Sequence, residues 1–379
     1  MFYRVKIKMG SCTFCKGDFN MRLKSCVCKQ VSYCSKECQE KDWGIHKPSC
    51  PPFTIRESPG KGKGMFATRK IKEGKVIVEE YPLIIFSGTI SDDDFTADQL
   101  DEETKAKILE LHDPGENIKT LDTGTLQELA GKIPLAFYYD QARTEEMNKI
   151  FRIVMNPINK ILICGAKDLY QNNTEGGFFY NFSQINHSCV PNAMTSWVMG
   201  DFKRRQVRAI MTIEKDEEIL ISYRGTERFV YGSREFRQQE LLETGVFLCK
   251  CSECSLEGDD LEENDRMRAE IREKMVDARQ LLNCMGSDQP SRRSMKKVLK
   301  LVQQRVKLIL KLNIRTGIVE DMLDYYNLAV QARGMDISCE NDPDIYKQEA
   351  LKYAKIFGDR YIYMYNKTVN INLFPMFIW

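Results

Sequence analysis

Eleven of the fourteen cysteines fall in short clusters or in one central motif, at spacings that suit metal binding. The N-terminal cluster, between residues 12 and 50, offers seven cysteines and one histidine, which is the ligand complement of two tetrahedral zinc sites. A segment this short cannot bury enough apolar surface to fold alone, so bound metal must supply its stability. The eight predicted ligands are Cys12, Cys15, Cys26, Cys28, Cys34, Cys38, His46 and Cys50.

A second cluster is one ligand short of a tetrahedral site. Cys249, Cys251 and Cys254 follow a C-x-C-x2-C pattern. Cys189 lies far from them in the chain, within the polar motif Asn186 to Asn192, and is the natural fourth ligand. Because protein ligands fill every position of the three predicted sites, we expect three structural zinc ions and no open position for a catalytic water.

The central motif, Asn186-His187-Ser188-Cys189-Val190-Pro191-Asn192, is predicted to be a loop that crosses a buried site. Pro191 fixes its own φ and biases the preceding residue toward extended backbone, which disfavours a helix. On composition alone such a run is an ordinary polar turn. Its letters, NHSCVPN, resemble the core motif of SET-domain lysine methyltransferases, and the flanking cysteine clusters make the chain similar to the SET-and-MYND family.

Residues 12 to 50 resemble the MYND zinc finger through Tyr33-Cys34-Ser35, Gln39, Trp43 and the terminal His46 and Cys50. The chain departs from the usual C-x2-C spacing of that family at Cys26 and Cys28, which Val27 alone separates. The resemblance implies a proline-rich peptide as a ligand of the finger. It also implies interleaved zinc ligands, with Cys12, Cys15, Cys34 and Cys38 in one site and Cys26, Cys28, His46 and Cys50 in the other.

Charge argues against nucleic acid as the primary partner. The finger has seven Lys/Arg and four Asp/Glu, but seven thiolates on two Zn²⁺ ions carry a net charge that cancels this excess. The whole chain has a formal charge of +2, which gives no general attraction to nucleic acid or membranes. No signal peptide and no apolar run of about 18 residues is evident. We therefore expect a monomer in the nucleus, the cytoplasm or both, with no membrane association.

The resemblance to SET domains implies a binding site for S-adenosyl-L-methionine. A glycine-rich turn, Lys61-Gly62-Lys63-Gly64, would lie against the cofactor; Asn156, Asn186 and His187 would contact it, and Phe247 would stack on the adenine. Simpler interpretations stay open on the sequence alone, because the turn could be a hairpin tip and Asn156 a turn residue before a proline.

The predicted catalytic residue is Tyr223, at the end of an acidic turn followed by a strand, Asp216-Glu-Glu-Ile-Leu-Ile-Ser-Tyr223. A tyrosine at a strand end usually serves packing, but the resemblance gives this one the catalytic hydroxyl and a cofactor contact. Phe179 and Tyr180 are candidates for the walls of an apolar channel, in which desolvation would lower the pKa of a substrate lysine. No acid–base dyad and no catalytic metal are required.

The resulting expectation is an S-adenosylmethionine-dependent protein-lysine N-methyltransferase that acts on histone or non-histone lysines in transcription regulation. The rival hypothesis is a catalytically weak MYND/SET scaffold, which would recruit proline-rich partners as a corepressor does.

The expected fold is α+β and multidomain. We predict a MYND finger at 12–50, a β-rich SET domain at 53–225 with a helical insertion at about 91–150, a post-SET zinc segment at 226–258 and a helical C-terminal domain at 261–379. Placing the finger ahead of the glycine-rich turn looks like the arthropod-type branch of the family.

Local patterns place the elements within these domains. Short strands are predicted near residues 76–78 and 83–85, at Phe151–Met155 and Ile161–Cys164, and over 207–213 and 219–223. Beyond residue 261, four apolar stripes at helical spacing end near Gly286, Leu312, Gly334 and Gly358 and suggest antiparallel helical hairpins.

Overall fold

The structure is a computed structural model. It describes residues 10–19, 23–26, 31–47, 49–87, 100–111, 113, 144–155, 160–162, 175–198, 200–245, 247–285, 291–338 and 342–371.

The N-terminal finger consists of two short hairpins and one helix. Strand β1 (Gly10–Ser11) pairs with β2 (Asp18–Phe19), and β3 (Lys24–Ser25) pairs with β4 (Ser32–Tyr33), both in antiparallel register. Helix α1 (Lys36–His46) follows. The small core of the finger is made largely of the predicted zinc ligands themselves, so little apolar packing is left to hold it without metal.

The central domain is built from short strands in several small sheets. Its strands are β5 (Phe53–Ser58), β6 (Gly62–Ala67), β7 (Val76–Glu80), β8 (Ile84–Ser87), β9 (Lys160–Leu162), β10 (Glu175–Phe178), β11 (Asn186–His187), β12 (Ala193–Val198), β13 (Asp201–Ala209) and β14 (Leu220–Ile221). The sheet orders are β5-β6, β8-β10-β9 and β12-β13-β7, all antiparallel, together with the parallel pair β11-β14.

One apolar core underlies most of these sheets. Met65, Ile77, Phe179, Val207 and Ile219 are among its buried members. The predicted strands near 76–78, 83–85, 207–213 and 219–223 each overlap an observed strand. The core positions the short β11–β14 pair, which carries the central motif.

The prediction of a strand at Phe151–Met155 is wrong. These residues end helix α3 (Glu145–Met155), which packs near α2 (Glu102–Leu109). Ile150 and Ile153 are buried together with Ile108, because a spacing of three residues places both on one helix face. We predicted a strand from the short apolar run alone, although the residues before it complete a helical pattern.

The C-terminal half is helical. Its helices are α4 (Glu227–Val230), α5 (Arg234–Gly245), α6 (Gly258–Met285), α7 (Arg292–Lys311), α8 (Ile318–Gly334), α9 (Pro343–Phe357) and α10 (Asp359–Ile371). The four predicted stripes correspond to α6 through α9, whereas α4, α5 and α10 had no counterpart in the prediction. Ile210 and Tyr231 belong to the same apolar cluster as the helices, so this half packs directly on the strands of the central domain. In the part of the chain described here, no helix combines the length and apolarity needed to cross a membrane.

A buried ion pair joins two of these helices. Arg305 on α7 is 2% exposed and pairs with Asp321 on α8, and its Nη2 lies 3.7 Å from Asp324 Oδ2. A buried guanidinium between carboxylates contributes little net stability, but removal of one partner leaves an uncompensated charge in the core.

We therefore expect Arg305→Met to lower the free energy of unfolding by about 3–5 kcal/mol, because Asp321 loses its cation inside the helical core. Urea unfolding followed by circular dichroism measures the effect. Arg333→Met is the matched control, since Arg333 and Asp342 form a half-exposed pair whose loss should cost less than about 1 kcal/mol. Equal midpoints for the two variants would contradict the assignment.

Candidate active site and metal centres

Sulfur and nitrogen atoms gather at three points of the structure in the predicted combinations. Cys12, Cys15, Cys34 and Cys38 form one group, Cys189, Cys249, Cys251 and Cys254 form another, and Cys26, His46 and Cys50 form a third, with the ligand atoms of each group within 4.8 Å of one another. Cys28, the eighth predicted ligand of the finger, lies outside the described residues. For every zinc ligand of the finger that the structure describes, the observed grouping is the interleaved one that was predicted.

The sulfur separations fit zinc. With Zn–S bonds of about 2.3 Å, two ligands of a tetrahedral ion are about 3.8 Å apart. The observed S···S distances are 3.7 Å for Cys15–Cys34, 3.5 Å for Cys34–Cys38, 3.8 Å for Cys26–Cys50 and 3.6 Å for Cys189–Cys254.

A buried arginine lies against the third metal centre. Zinc with four thiolates carries a net charge of about −2, which is costly to bury. Arg237 on α5 is 0% exposed; its Nη2 lies 4.0 Å from Cys254 Sγ, and its Nη1 donates to the Gly232 carbonyl at 2.5 Å. A fully buried guanidinium needs a nearby negative charge, and the thiolates supply it.

A second buried arginine fixes the same cysteine knuckle to the C-terminal helices. Glu253 lies between two of the metal ligands, and its Oε2 accepts from Arg268 Nη2 at 3.0 Å and from Asn264 Nδ2 at 2.6 Å. Arg268 also donates to Asn264 Oδ1 at 2.9 Å and to the Val230 carbonyl. Helix α6 therefore holds the segment of Cys249, Cys251 and Cys254 in place.

His187 is buried beside this centre, and both of its ring nitrogens have protein partners. Nδ1 accepts from the Tyr223 amide at 3.0 Å, and Nε2 lies 3.4 Å from Cys189 Sγ. Burial lowers the pKa of His187 to about 4, so the ring is neutral and carries its proton on Nε2. A cofactor contact by His187 would therefore use its backbone.

Asn186 and the glycine-rich turn meet at one carboxylate. Asn186 Nδ2 donates to the Lys63 carbonyl at 3.0 Å and to Glu218 Oε1 at 2.8 Å, while Lys61 Nζ contacts Glu218 Oε2 at 3.0 Å. A Cβ on Gly64 would come within 2.5 Å of Glu218 Oε1 and 2.9 Å of Asn186 Nδ2, so a larger residue would have to displace these two side chains. The φ of Gly62 is +71°, which is also a glycine conformation.

Tyr223 and Phe247 complete an aromatic cluster around His187. The two rings pack edge to face with centroids 6.0 Å apart, and the His187 ring lies 5.2 Å from Tyr223 and 6.2 Å from Phe247. The Tyr223 hydroxyl donates to the Ile185 carbonyl at 2.8 Å. Burial, with a smaller contribution from Glu218, raises the pKa of Tyr223, so the phenol stays protonated at neutral pH.

The remaining predicted site residues are the channel candidates Phe179 and Tyr180 and the predicted cofactor contact Asn156. Phe179 is fully buried and stacks on Phe182 in the core against which Tyr223 packs, and Tyr180 donates to Glu110 Oε2 at 2.6 Å. Burial and that carboxylate raise the pKa of Tyr180 to about 12. Asn156 lies outside the described residues.

Several residues of the site had no role in the sequence prediction. Asn192 holds the acidic turn through Nδ2 to Glu217 Oε1 at 3.0 Å and through Oδ1, which accepts from the Leu220 amide at 2.8 Å. Glu80 accepts from the Asn181 and Phe182 amides and fixes the turn ahead of the central motif. Asn192 and Glu218 lay in recognised motifs and could have been singled out, but no sequence signal marked Glu80 or Arg237.

Comparisons with known proteins agree with this arrangement. The SET domain family matches residues 62–224, and the MYND finger family matches residues 12–50. The chain thus contains both domains that define the SET-and-MYND family. Its finger precedes the SET domain, as the sequence predicted, and the α+β multidomain fold class is confirmed.

Two curated relatives of this SET-and-MYND protein show the level of sequence identity and the share of each chain that aligns. It is 30% identical over 246 residues to histone-lysine N-methyltransferase ASHR1 of Arabidopsis thaliana, covering 64% of this chain and 46% of the relative. It is 24% identical over 268 residues to N-lysine methyltransferase SMYD2 of Bos taurus, covering 69% and 53%. The chain thus spans about half the length of the curated relatives it matches.

Metal content tests the three centres. We expect three zinc ions per chain by elemental analysis, and two in Cys189→Ser, because a serine oxygen is a poorer ligand in a site otherwise made of thiolates. The same substitution should weaken S-adenosylmethionine binding by about tenfold or more in calorimetry, since it loosens the loop that carries Asn186 and His187. Cys164→Ser, outside every cluster, is the control. Full zinc and normal affinity in Cys189→Ser would disprove the shared-ligand arrangement.

Arg237 can be tested separately from the ligands. In Arg237→Met the thiolates lose their buried counter-charge, and we expect the third zinc to bind about 10–100-fold more weakly in competition with a chromogenic chelator. Arg237→Lys should recover part of that affinity. The exposed Arg266, which pairs with Glu263 and Glu270 on α6, provides the control variant Arg266→Met. If Arg237→Met bound zinc as tightly as Arg266→Met does, another group would have to balance the negative charge of the zinc–thiolate centre.

Proposed function

We propose that this SET-and-MYND protein is an S-adenosylmethionine-dependent protein-lysine N-methyltransferase. The observation that carries the proposal is the convergence of the glycine-rich turn, Asn186, His187, Tyr223 and Phe247, which the chain supplies from four separate segments. The relatives ASHR1 and SMYD2, a histone-lysine N-methyltransferase and an N-lysine methyltransferase, support the same activity.

The roles of the site residues follow from their contacts. The backbone of the turn from Lys61 to Gly64 and the Asn186–His187 pair would line the cofactor, because Gly64 leaves no side chain between them. Phe247 offers an aromatic face for adenine, and its edge-to-face contact with Tyr223 holds it in position. Asn156 is proposed as a further contact from its place in the sequence.

Bound S-adenosylmethionine would supply a methyl group on a positively charged sulfur. As a methyl donor the cofactor would supply an electrophilic carbon, and the substrate lysine would have to reach it as a neutral amine after losing its proton to solvent. The protein has to align the amine and exclude water.

Tyr223 is the proposed catalytic residue. Its hydroxyl proton is directed to the Ile185 carbonyl, so the oxygen lone pairs are free to orient the incoming amine. Since burial keeps the phenol protonated, Tyr223 would act by position and dipole and not as a base. Phe179 and Tyr180 are the proposed channel walls.

The wider biology belongs to the same proposal. The substrates would be histone or non-histone proteins, with a role in transcription regulation in the nucleus, the cytoplasm or both. The finger would bind proline-rich peptides, and the protein would act as a monomer. We propose domain limits of 12–50, 53–225, 226–258 and 261–379, and membership of the arthropod-type branch.

Tyr223→Phe tests the activity. Loss of one positioned hydroxyl should lower kcat about 100-fold or more, while cofactor affinity and zinc content stay unchanged. Transfer of labelled methyl groups to a protein array measures the rate, and calorimetry measures binding of the cofactor. An unchanged kcat would reduce Tyr223 to a packing residue. Absence of any S-adenosylmethionine binding by the native protein would instead favour the catalytically weak scaffold.

A further inference from the structure

A cleft of about 920 Å³ opens where the finger meets the SET strands, and none of the proposed cofactor-site residues lines it. Its walls are formed by Ser49–Ile55, Arg69–Lys72, Lys75–Val78, Tyr180 and Asn181. A volume in this range is typical of a binding site for a small molecule or a short peptide segment.

Two strand edges line this cleft. Strand β5 is hydrogen-bonded to β6 on one side, and β7 is hydrogen-bonded to β13 on one side. Within the residues that the structure describes, neither strand has a second neighbour. An unpaired edge presents alternating backbone N–H and C=O groups, which form a template for another extended chain.

The side chains around these edges are basic. Four cations and no carboxylate line the described part of the cleft. Lys70 pairs with Glu214, and Arg69 donates to the Cys50 carbonyl at 2.8 Å. Lys72 and Lys75 are exposed and form no ion pair with any described residue. The cleft therefore has an excess of positive charge that an acidic ligand would neutralise.

Apolar surface accompanies the charge on β7. The Val76 side chain is 38% exposed next to Lys75, whereas Ile77 is buried in the SET core. Val78 packs partly against the same core, so the apolar surface that β7 offers to a ligand is that of Val76.

We propose that the free edge of β7 binds an extended acidic segment of a partner protein by strand addition. Backbone groups of the segment would pair with β7, its carboxylates would contact Lys72 and Lys75, and an apolar side chain would cover Val76. The cleft shares Tyr180 with the proposed lysine channel but contains none of the proposed cofactor-site residues, and binding at the β7 edge does not depend on methyl transfer.

The unpaired backbone groups of the strand edge favour a peptide with free amide hydrogens over other classes of ligand. A nucleic acid backbone could neutralise the lysines, but it offers no row of N–H donors to the carbonyl groups of β7. A proline-rich segment lacks the amide hydrogens that strand pairing needs, so the ligand of the cleft differs in kind from the one predicted for the finger.

The test uses the full chain and a fluorescein-labelled peptide in which valine alternates with glutamate. We expect saturable binding by fluorescence anisotropy and slower hydrogen exchange of the backbone amides of residues 76–80 in the complex. The double variant Lys72→Glu/Lys75→Glu should weaken binding about tenfold or more, because both contacts become repulsive.

Two controls make the test specific. Lys296→Glu/Lys300→Glu reverses two exposed charges on α7 and should leave the affinity unchanged. A peptide N-methylated at alternate residues keeps the carboxylates but cannot pair fully, and it should bind poorly. Zinc content and cofactor binding confirm that each variant is folded.

Three results would overturn the proposal: no binding of the acidic peptide, equal affinity of the native protein and Lys72→Glu/Lys75→Glu, or equal affinity for the N-methylated peptide. A single-stranded oligonucleotide that displaced the peptide and bound more tightly would identify the surface as a nucleic-acid patch and would also reject the proposal.

Discussion

The arrangement of the candidate active site depends on four thiols that must meet at one point. Cys189 comes from the central motif, whereas Cys249, Cys251 and Cys254 come from a segment some sixty residues later. Only a metal ion makes such a cluster favourable, since four buried thiolates repel one another without it. Because His187 lies two residues before Cys189, and Phe247 two residues before Cys249, the same ion brings both residues to Tyr223.

Near this centre, Glu218 and Arg237 each lie next to a group of opposite charge. Glu218 accepts hydrogen bonds from both Lys61 and Asn186, and a side chain at position 64 would have to displace the groups that share that carboxylate. Arg237 has a similar function beside the thiolates. The cost of burying each of these charges is offset by its partners, and the ring cluster of His187, Tyr223 and Phe247 contains no charged side chain.

The sequence predicted the metal groups well because ligand chemistry is local: the residue types are few and their spacing is constrained by tetrahedral geometry. The amphipathic stripes of α6 to α9 were equally clear. Phe151–Met155 was misread because five residues are too few to separate a strand from a helix. Helix α10 was missed because Gly358 marked a helix end correctly, yet a new helix starts at Asp359. Arg237 could not be found because, in a polar helix, a buried arginine and a solvated one look alike in sequence.

The C-terminal helices are in direct contact with the candidate active site and are not a separate appended module. Arg268 on α6 holds Glu253 inside the cysteine knuckle, and the Val230 carbonyl that it also contacts belongs to α4, whose Phe229 packs edge to face on His187 at 5.8 Å. A displacement of α6 would move both the metal ligands and the aromatic wall of the proposed cofactor site. Since a buried guanidinium tolerates few alternative positions, this contact makes the helical half part of the scaffold that positions the candidate catalytic residues.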